Sequence, residues 1–231
     1  MNYIILNGKN SNDIQGLLIQ SLPPISKPIM RTQIETVDGR DGDIVTPLGF
    51  NAYNKTMSVG LHGNFDIDQV IKYFNSEGTV TFSNEPYKYY KYKIVAQIDF
   101  NRLVRYRTAN VVFHVQPFKY STTEKQKTFE VAGLNEIEIQ NFGNVKAKPT
   151  ITLYGQGTIN ISLNGSQVLE VNLLDEITID IESMEAYTGT TLKNRQVKGN
   201  YDNCLLNIGK NTISWSGNLS RVVIDKYSRW I

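Results

Sequence analysis

The sequence predicts a mainly-β protein built in two parts, and three observations carry that prediction. Ile, Val and Thr contribute 24, 17 and 18 of the 231 residues, against only six Ala. β-Branched side chains lose rotamer freedom in helices and pack well on a pleated surface, so this balance favours strands. Asn (23) and Gly (17) are plentiful, and both tolerate the positive φ that tight turns demand. In the second half, short runs of alternating polarity recur with turn residues at intervals of about ten positions, the pattern of an antiparallel β-sandwich. A chain of this length buries roughly 70–75% of its unfolded surface, so its core needs neither disulfides nor a structural metal.

The elements follow in order. Residues 3–6 form a short strand closed by Asn7-Gly8, a tight-turn pair. A second apolar run, 16–22, stops at Pro23-Pro24, which cannot continue a ladder. Residues 30–37 read as a strand, with Ile34 and Thr36 alternating against Gln33 and Glu35. Two turn pairs, Asp38-Gly39 and Asp41-Gly42, then lead into the strand-like Ile44-Val45-Thr46. This is a hairpin with a polar, charged tip. One helix is expected: Asn64 or Asp66 caps it, and Ile67, Val70, Ile71 and Phe74 recur at helical spacing. Strands resume at 78–82, 87–100 and 107–115, the last two joined by a basic loop. Pro117 closes this half, and the apolar-poor stretch 120–127 places a boundary between domains 1–127 and 128–231. The second half reads as strands at 135–139, 149–154, 158–163, 167–173, 176–181, 203–206, 211–214 and 221–225, with Asn164-Gly165 as a two-residue hairpin turn.

Composition excludes several chemistries. The formal charge of +2 does not imply a polyanion binder. Cys204 is the single cysteine, so neither an intrachain disulfide nor a Cys-rich zinc site is available. His62 and His114 lie in no catalytic or metal motif. Asp38, Asp41 and Asp43 have the wrong spacing for a calcium loop, with Asp43 where the essential Gly belongs. Asp180 and Glu182 share a strand face, yet nothing around them suggests a glycosidase cleft, so a solvated acidic face is the expected reading. The expectation is no enzyme, no cofactor and no metal. No basic region precedes an apolar run at the start, and no apolar stretch approaches the ~18 residues that span a bilayer. Synthesis in a cytoplasm without a membrane partner is therefore expected.

One segment invites a nucleic-acid reading. Residues 87–107 hold Lys88, Lys91, Lys93, Arg102, Arg105 and Arg107 against Asp99, interleaved with Tyr87, Tyr89, Tyr90 and Tyr92. Basic groups neutralise phosphates and aromatic rings stack on bases. A two-sided strand whose Tyr rings pack while Lys stems cover apolar surface gives the same alternation. A subunit-contact surface at Lys88, Lys91, Lys93, Arg102 and Arg105 is the favoured expectation.

Taken in order, the local patterns resemble the distal tail (Dit) proteins of siphovirus-type bacteriophages and prophages, over essentially the whole chain. The opening Leu6-Asn7-Gly8-Lys9 is followed by the Gly39-Arg40-Asp41-Gly42 hairpin. Val111-Val112-Phe113-His114-Val115-Gln116-Pro117-Phe118 is similar to the family's closing strand of the first domain. Asn141-Phe142-Gly143-Asn144 and Lys148-Pro149-Thr150-Ile151 are similar to the entry into its second. Gly209-Lys210-Asn211-Thr212-Ile213-Ser214-Trp215 and Tyr227-Ser228-Arg229-Trp230-Ile231 complete the series.

This resemblance implies a β-barrel-like N-terminal domain with one helix and an extended hairpin arm, and a galectin-like C-terminal sandwich. It implies six copies in a ring, single or as two stacked rings, at the end of the tail tube of a virion. The partners would be the chain itself, the tail tube protein and the tail-associated lysin or tip protein, with DNA only in passage through the channel. The arm, Thr36, Val37, Asp38, Gly39, Arg40, Asp41, Gly42, Asp43 and Ile44, is expected to embrace the adjacent subunit. A carbohydrate-binding module of the host-recognition apparatus is the alternative, with Trp215 or Trp230 stacking on a sugar ring. One further feature is electrostatic: residues 121–185 carry four basic and ten acidic groups, and 186–231 seven and two. Such opposed segments could set subunit register or neutralise each other within one sandwich.

Overall fold

The computed structural model describes residues 1–74 and 76–231, and the chain divides into two compact units, 1–122 and 123–230. The first contains β1 (Ile4–Leu6), β2 (Lys9–Asn10), β3 (Leu17–Ser21), β4 (Met30–Thr36), β5 (Asp43–Phe50), β6 (Tyr53–Leu61), α1 (Ile67–Tyr73), β7 (Glu77–Phe82), β8 (Lys88–Lys93), α2 (Phe100–Tyr106) and β9 (Thr108–Ser121). Seven of these strands form one antiparallel sheet in the order β2-β1-β7-β8-β9-β6-β3. Asn7 (φ 48°) and Gly8 (φ 83°) make the predicted turn between β1 and β2. The 14-residue β9 spans the sheet, pairing with β6 through its first half and β8 through its second. Its inward row Val111, Phe113 and Val115 packs with Val59, Val80 and Tyr90 in the core.

The mainly-β class is as the sequence predicts, and Asp66 is the α1 cap, its carboxylate accepting from the Asp68 and Gln69 amides. Among the described residues there are two α-helices rather than one. The expected strand 87–100 ends at Lys93, and the expected basic loop is α2. Asp99 starts this helix by accepting from the Arg102 amide at 2.8 Å, Leu103 anchors it in the core, and Arg107 ends it in the left-handed region (φ 59°). With one fully buried residue in two turns, α2 has too little apolar periodicity to be read as a helix.

The second unit contains β10 (Lys127–Glu130), β11 (Glu136–Asn141), β12 (Thr150–Leu163), β13 (Ser166–Leu173), β14 (Glu176–Asp180), β15 (Glu185–Thr188), β16 (Thr191–Leu192), β17 (Val197–Gly199) and β18 (Gly209–Asp225). Four of the expected strands are in fact two. Residues 149–154 with 158–163 are the single strand β12, and 211–214 with 221–225 are β18. Both bend midway. Their outer halves pair with β10 and β14, their other halves with β11 and β13. The sheet thereby folds over itself around Leu153, Ile177 and Ile224 on one side and Ile161, Val171 and Ile213 on the other. Gly155 (φ 155°) and Gly217 (φ 105°) make the bends possible: a Cβ at Gly155 would lie 2.2 Å from the Asn218 carbonyl oxygen, and one at Gly217 would lie 2.5 Å from that of Thr158. The expected strand 203–206 is instead the end of a 3-10 turn, Tyr201–Asn203, followed by a lone bridge from Leu206 to Ala147. Among the described residues, no helix is long and apolar enough to cross a membrane.

Candidate functional site

The hairpin of β4 and β5 stands apart from both sheets. Its strands pair only with each other, from Met30↔Phe50 to Thr36↔Asp43, with a bulge between Arg31 and Thr32. No residue from 29 to 50 is buried. Cross-strand partners share a face, so Ile34, Val45, Thr32 and Pro47 form one side, and Gln33, Glu35, Ile44 and Thr46 the other. Ile34 and Val45 are 60% and 56% exposed, an apolar centre left largely to water. Of the sequence-predicted arm, Thr36 and Asp43 close the strands through a 3.1 Å hydrogen bond. Val37 to Gly42 form the tip, where the Arg40 amide donates to the Val37 carbonyl and Gly39 and Gly42 both adopt φ 77°.

The root of this arm is fixed to the first unit by side chains that the sequence did not single out. The segment after β3 contains Pro23, Pro24 and Pro28, which restrict φ and offer no amide donor. Its carbonyls are gripped instead: Asn84 donates to Pro23 (2.9 Å), Lys55 to Pro24 (2.7 Å) and Tyr53 to Ser26 (3.3 Å). At the other root, Phe50 meets Phe118 edge-on with centroids 5.9 Å apart.

Lys55 is 2% exposed and lies over the rings of Tyr53, Phe82 and Tyr90. Behind it, Glu85 accepts from Lys119 at 2.9 Å and from the Tyr90 hydroxyl. Burial depresses the Lys55 ammonium to about 8, against partial support from Glu85, and Lys119 adds repulsion. Burial would raise Glu85, yet the hydrogen bonds from Tyr90 and Lys119 outweigh it and hold the carboxyl below its usual range. A sequence signal for this cluster existed only as polar residues on apolar strand faces: Lys55 opposite Phe113, and Lys119 opposite Tyr90.

The expected subunit-contact residues fall into two groups. Lys88, Lys91 and Lys93 lie on β8 beside the second half of β9, with Lys93 paired to Glu77 at 2.9 Å and Lys91 over the Tyr120 ring. Arg102 and Arg105 lie on α2, which packs on β6 and the start of β9. The tyrosines of this stretch mostly pack: Tyr90 and Tyr92 are core residues, and Tyr89 stacks on Tyr120. Tyr87 is 71% exposed.

The remaining candidates resolve as structural. Trp215 is 7% exposed in the sandwich core, so it cannot stack on a sugar. Cys204 is buried, and burial pushes its thiol up to about 12, far from a reactive thiolate. The Asp180 carboxylate accepts from the Glu182 and Ser183 amides, closing a turn. His114 pairs through Nδ1 with Asn54. Among the described residues, no three His, Cys, Asp or Glu side chains converge as metal ligands.

The fold of this two-unit β chain is similar to that of phage tail hub and baseplate proteins. The Dit protein of phage SPP1, described as a paradigm of the hub adsorption apparatus in phages infecting Gram-positive bacteria, superposes with TM-score 0.68 at 14% identity over 100% of both chains. Chains of the phage P2 baseplate in its activated conformation match with TM-scores of 0.54 (with Ca, 11% identity) and 0.52 (with Sr, 10%), each over 98% of both chains. The Dit-like fold expected from the sequence patterns is thus the fold observed. No family model and no curated relative matches the chain.

Proposed function

We propose that this chain is a structural hub subunit of a phage tail. Six copies close into a ring, single or stacked in two, at the distal end of the tail tube. One face of the ring meets the tube protein and the other the tail-associated lysin or tip protein, while DNA only passes through the channel. Residues 1–127 are the ring-forming domain and 128–231 the galectin-like sandwich. The protein acts in the virion by connecting, without catalysis.

The observation that carries this reading is the exposed arm. A two-stranded hairpin is marginal in water by itself, and this one leaves Ile34 and Val45 uncovered and both backbone edges open. A ring requires two different complementary surfaces on each subunit, and an arm reaching a neighbour supplies one while hiding its own edges. The near-neutral charge of +2 suits self-association, since identical subunits of high charge repel. The shared fold of hub and baseplate proteins adds support.

The test is removal of residues 36–45. The shortened chain should keep its circular dichroism and melt cooperatively, yet run as a monomer in light scattering and show no six-fold rings by negative stain. An unchanged ring would refute the role of the arm.

A further inference from the structure

Helix α2 presents an outer ridge that the fold does not use. Arg102, Arg105 and Tyr106 stand at i, i+3 and i+4, hence on one face, and Arg105 lies over the Tyr106 ring at 5.3 Å. Tyr106 is 62% exposed. Among the described residues neither Arg102 nor Arg105 meets a carboxylate; Asp99, the nearest in sequence, is occupied with the Arg102 amide as helix cap. Beside the ridge lies a polar notch of about 210 Å³ lined by Gln97, Asp99, Arg102, Thr108 and Asn110. Exposed Tyr and Arg side by side are the residue types that dominate protein interfaces.

The arm is complementary to this ridge in charge and in chemistry. It carries Glu35, Asp38, Asp41 and Asp43 against Arg31 and Arg40, all exposed, and its apolar side centres on Ile34 and Val45. Among the described residues its tip bonds within the hairpin alone. We infer that the α2 ridge is the receiving surface for the arm of a second copy of this chain, with tip carboxylates on Arg102 and Arg105 and apolar arm residues against Tyr106. This inference rests on the ring reading above and names the partner surface of that contact. It also separates the two basic groups: the α2 arginines bind the arm, whereas Lys88, Lys91 and Lys93 belong to β8 and its neighbours.

A charge-swap series tests it. Arg102→Glu with Arg105→Glu should leave the melting curve intact and weaken assembly by about tenfold or more, read as mass against concentration by light scattering. Asp38→Arg with Asp41→Arg should do the same. The four changes together should restore assembly. If the arginine variant assembles like wild type while deletion of 36–45 yields monomers, the arm docks elsewhere and this inference falls, though the arm reading survives. If the deletion also assembles, the arm reading itself falls. Failure of the combined variant to regain any assembly overturns the direct pairing. So does a loss of duplex-DNA binding in the arginine variant with assembly unchanged. A wild-type chain that stays monomeric at its highest soluble concentration overturns both.

Discussion

Lys55 shows how one residue links the core to the arm. Its ammonium sits beneath the arm root, among aromatic rings and near both Glu85 and Lys119, and holds the Pro24 carbonyl at 2.7 Å. Two buried lysines sharing one carboxylate leave an excess positive charge, which burial penalises. The folded chain therefore releases the Lys55 proton near pH 8, whereas the unfolded chain holds it until about 10.4. Between these values the unfolded state binds more protons at Lys55, so this group makes stability rise with pH. The buried Cys204 thiol acts in the opposite sense, staying protonated in the fold while the unfolded thiol ionises. In urea unfolding from pH 8 to 10, wild type should therefore lose less stability than Lys55→Met, by about 1–2 kcal/mol. Towards and above pH 10 both should fall further, because burial keeps Tyr90 and Tyr73 protonated in the fold while the unfolded tyrosines ionise.

At the level of elements, the two bent strands and the short helix are where local chemistry decides the architecture. Gly155→Ala places a methyl group against the Asn218 carbonyl in a conformation that other residues avoid. It should cost about 2 kcal/mol or more. Because both tryptophans, Trp215 and Trp230, lie in the sandwich unit, tryptophan fluorescence should follow that loss directly. Helix α2 depends on one anchor. Leu103→Ala should lower stability by about 2–4 kcal/mol in chemical denaturation and reduce assembly with it, since the Arg102–Arg105 ridge is held in place by that side chain alone among its buried residues.

For the whole molecule, the opposed charges of the C-terminal half resolve inside the sandwich. Lys198 pairs with Glu170 at 3.0 Å, and Lys210 with Glu138, so the basic final segment meets acidic strands of the same unit. Exposed pairs of this kind contribute about 0–1 kcal/mol each, which makes neutralisation rather than stability their main effect. In the first unit, Tyr90 and Tyr92 are buried and Tyr89 stacks on Tyr120. Duplex-DNA affinity at physiological salt should accordingly be weak, with little salt dependence; submicromolar binding in an anisotropy titration would contradict this.

By itself the sequence determined the β class, the helix at 67–74 with its cap at Asn64 or Asp66, the turns at Asn7-Gly8 and Asn164-Gly165, and a hairpin with a charged tip. These depend on propensity and turn chemistry, which act over a few neighbouring residues. It did not determine that 150–163 and 209–225 are single bent strands, because Gly155 and Gly217 read locally as turns and only packing across the sandwich keeps the chain extended through them. Nor did it disclose α2, whose single buried leucine leaves no helical pattern, or the Lys55–Glu85–Lys119 cluster, whose members are up to 64 residues apart. The isolation of the arm was likewise settled by tertiary structure: a strand's alternation is the same whether its apolar side faces a core, a partner or water, and only the folded chain shows Ile34 and Val45 facing water.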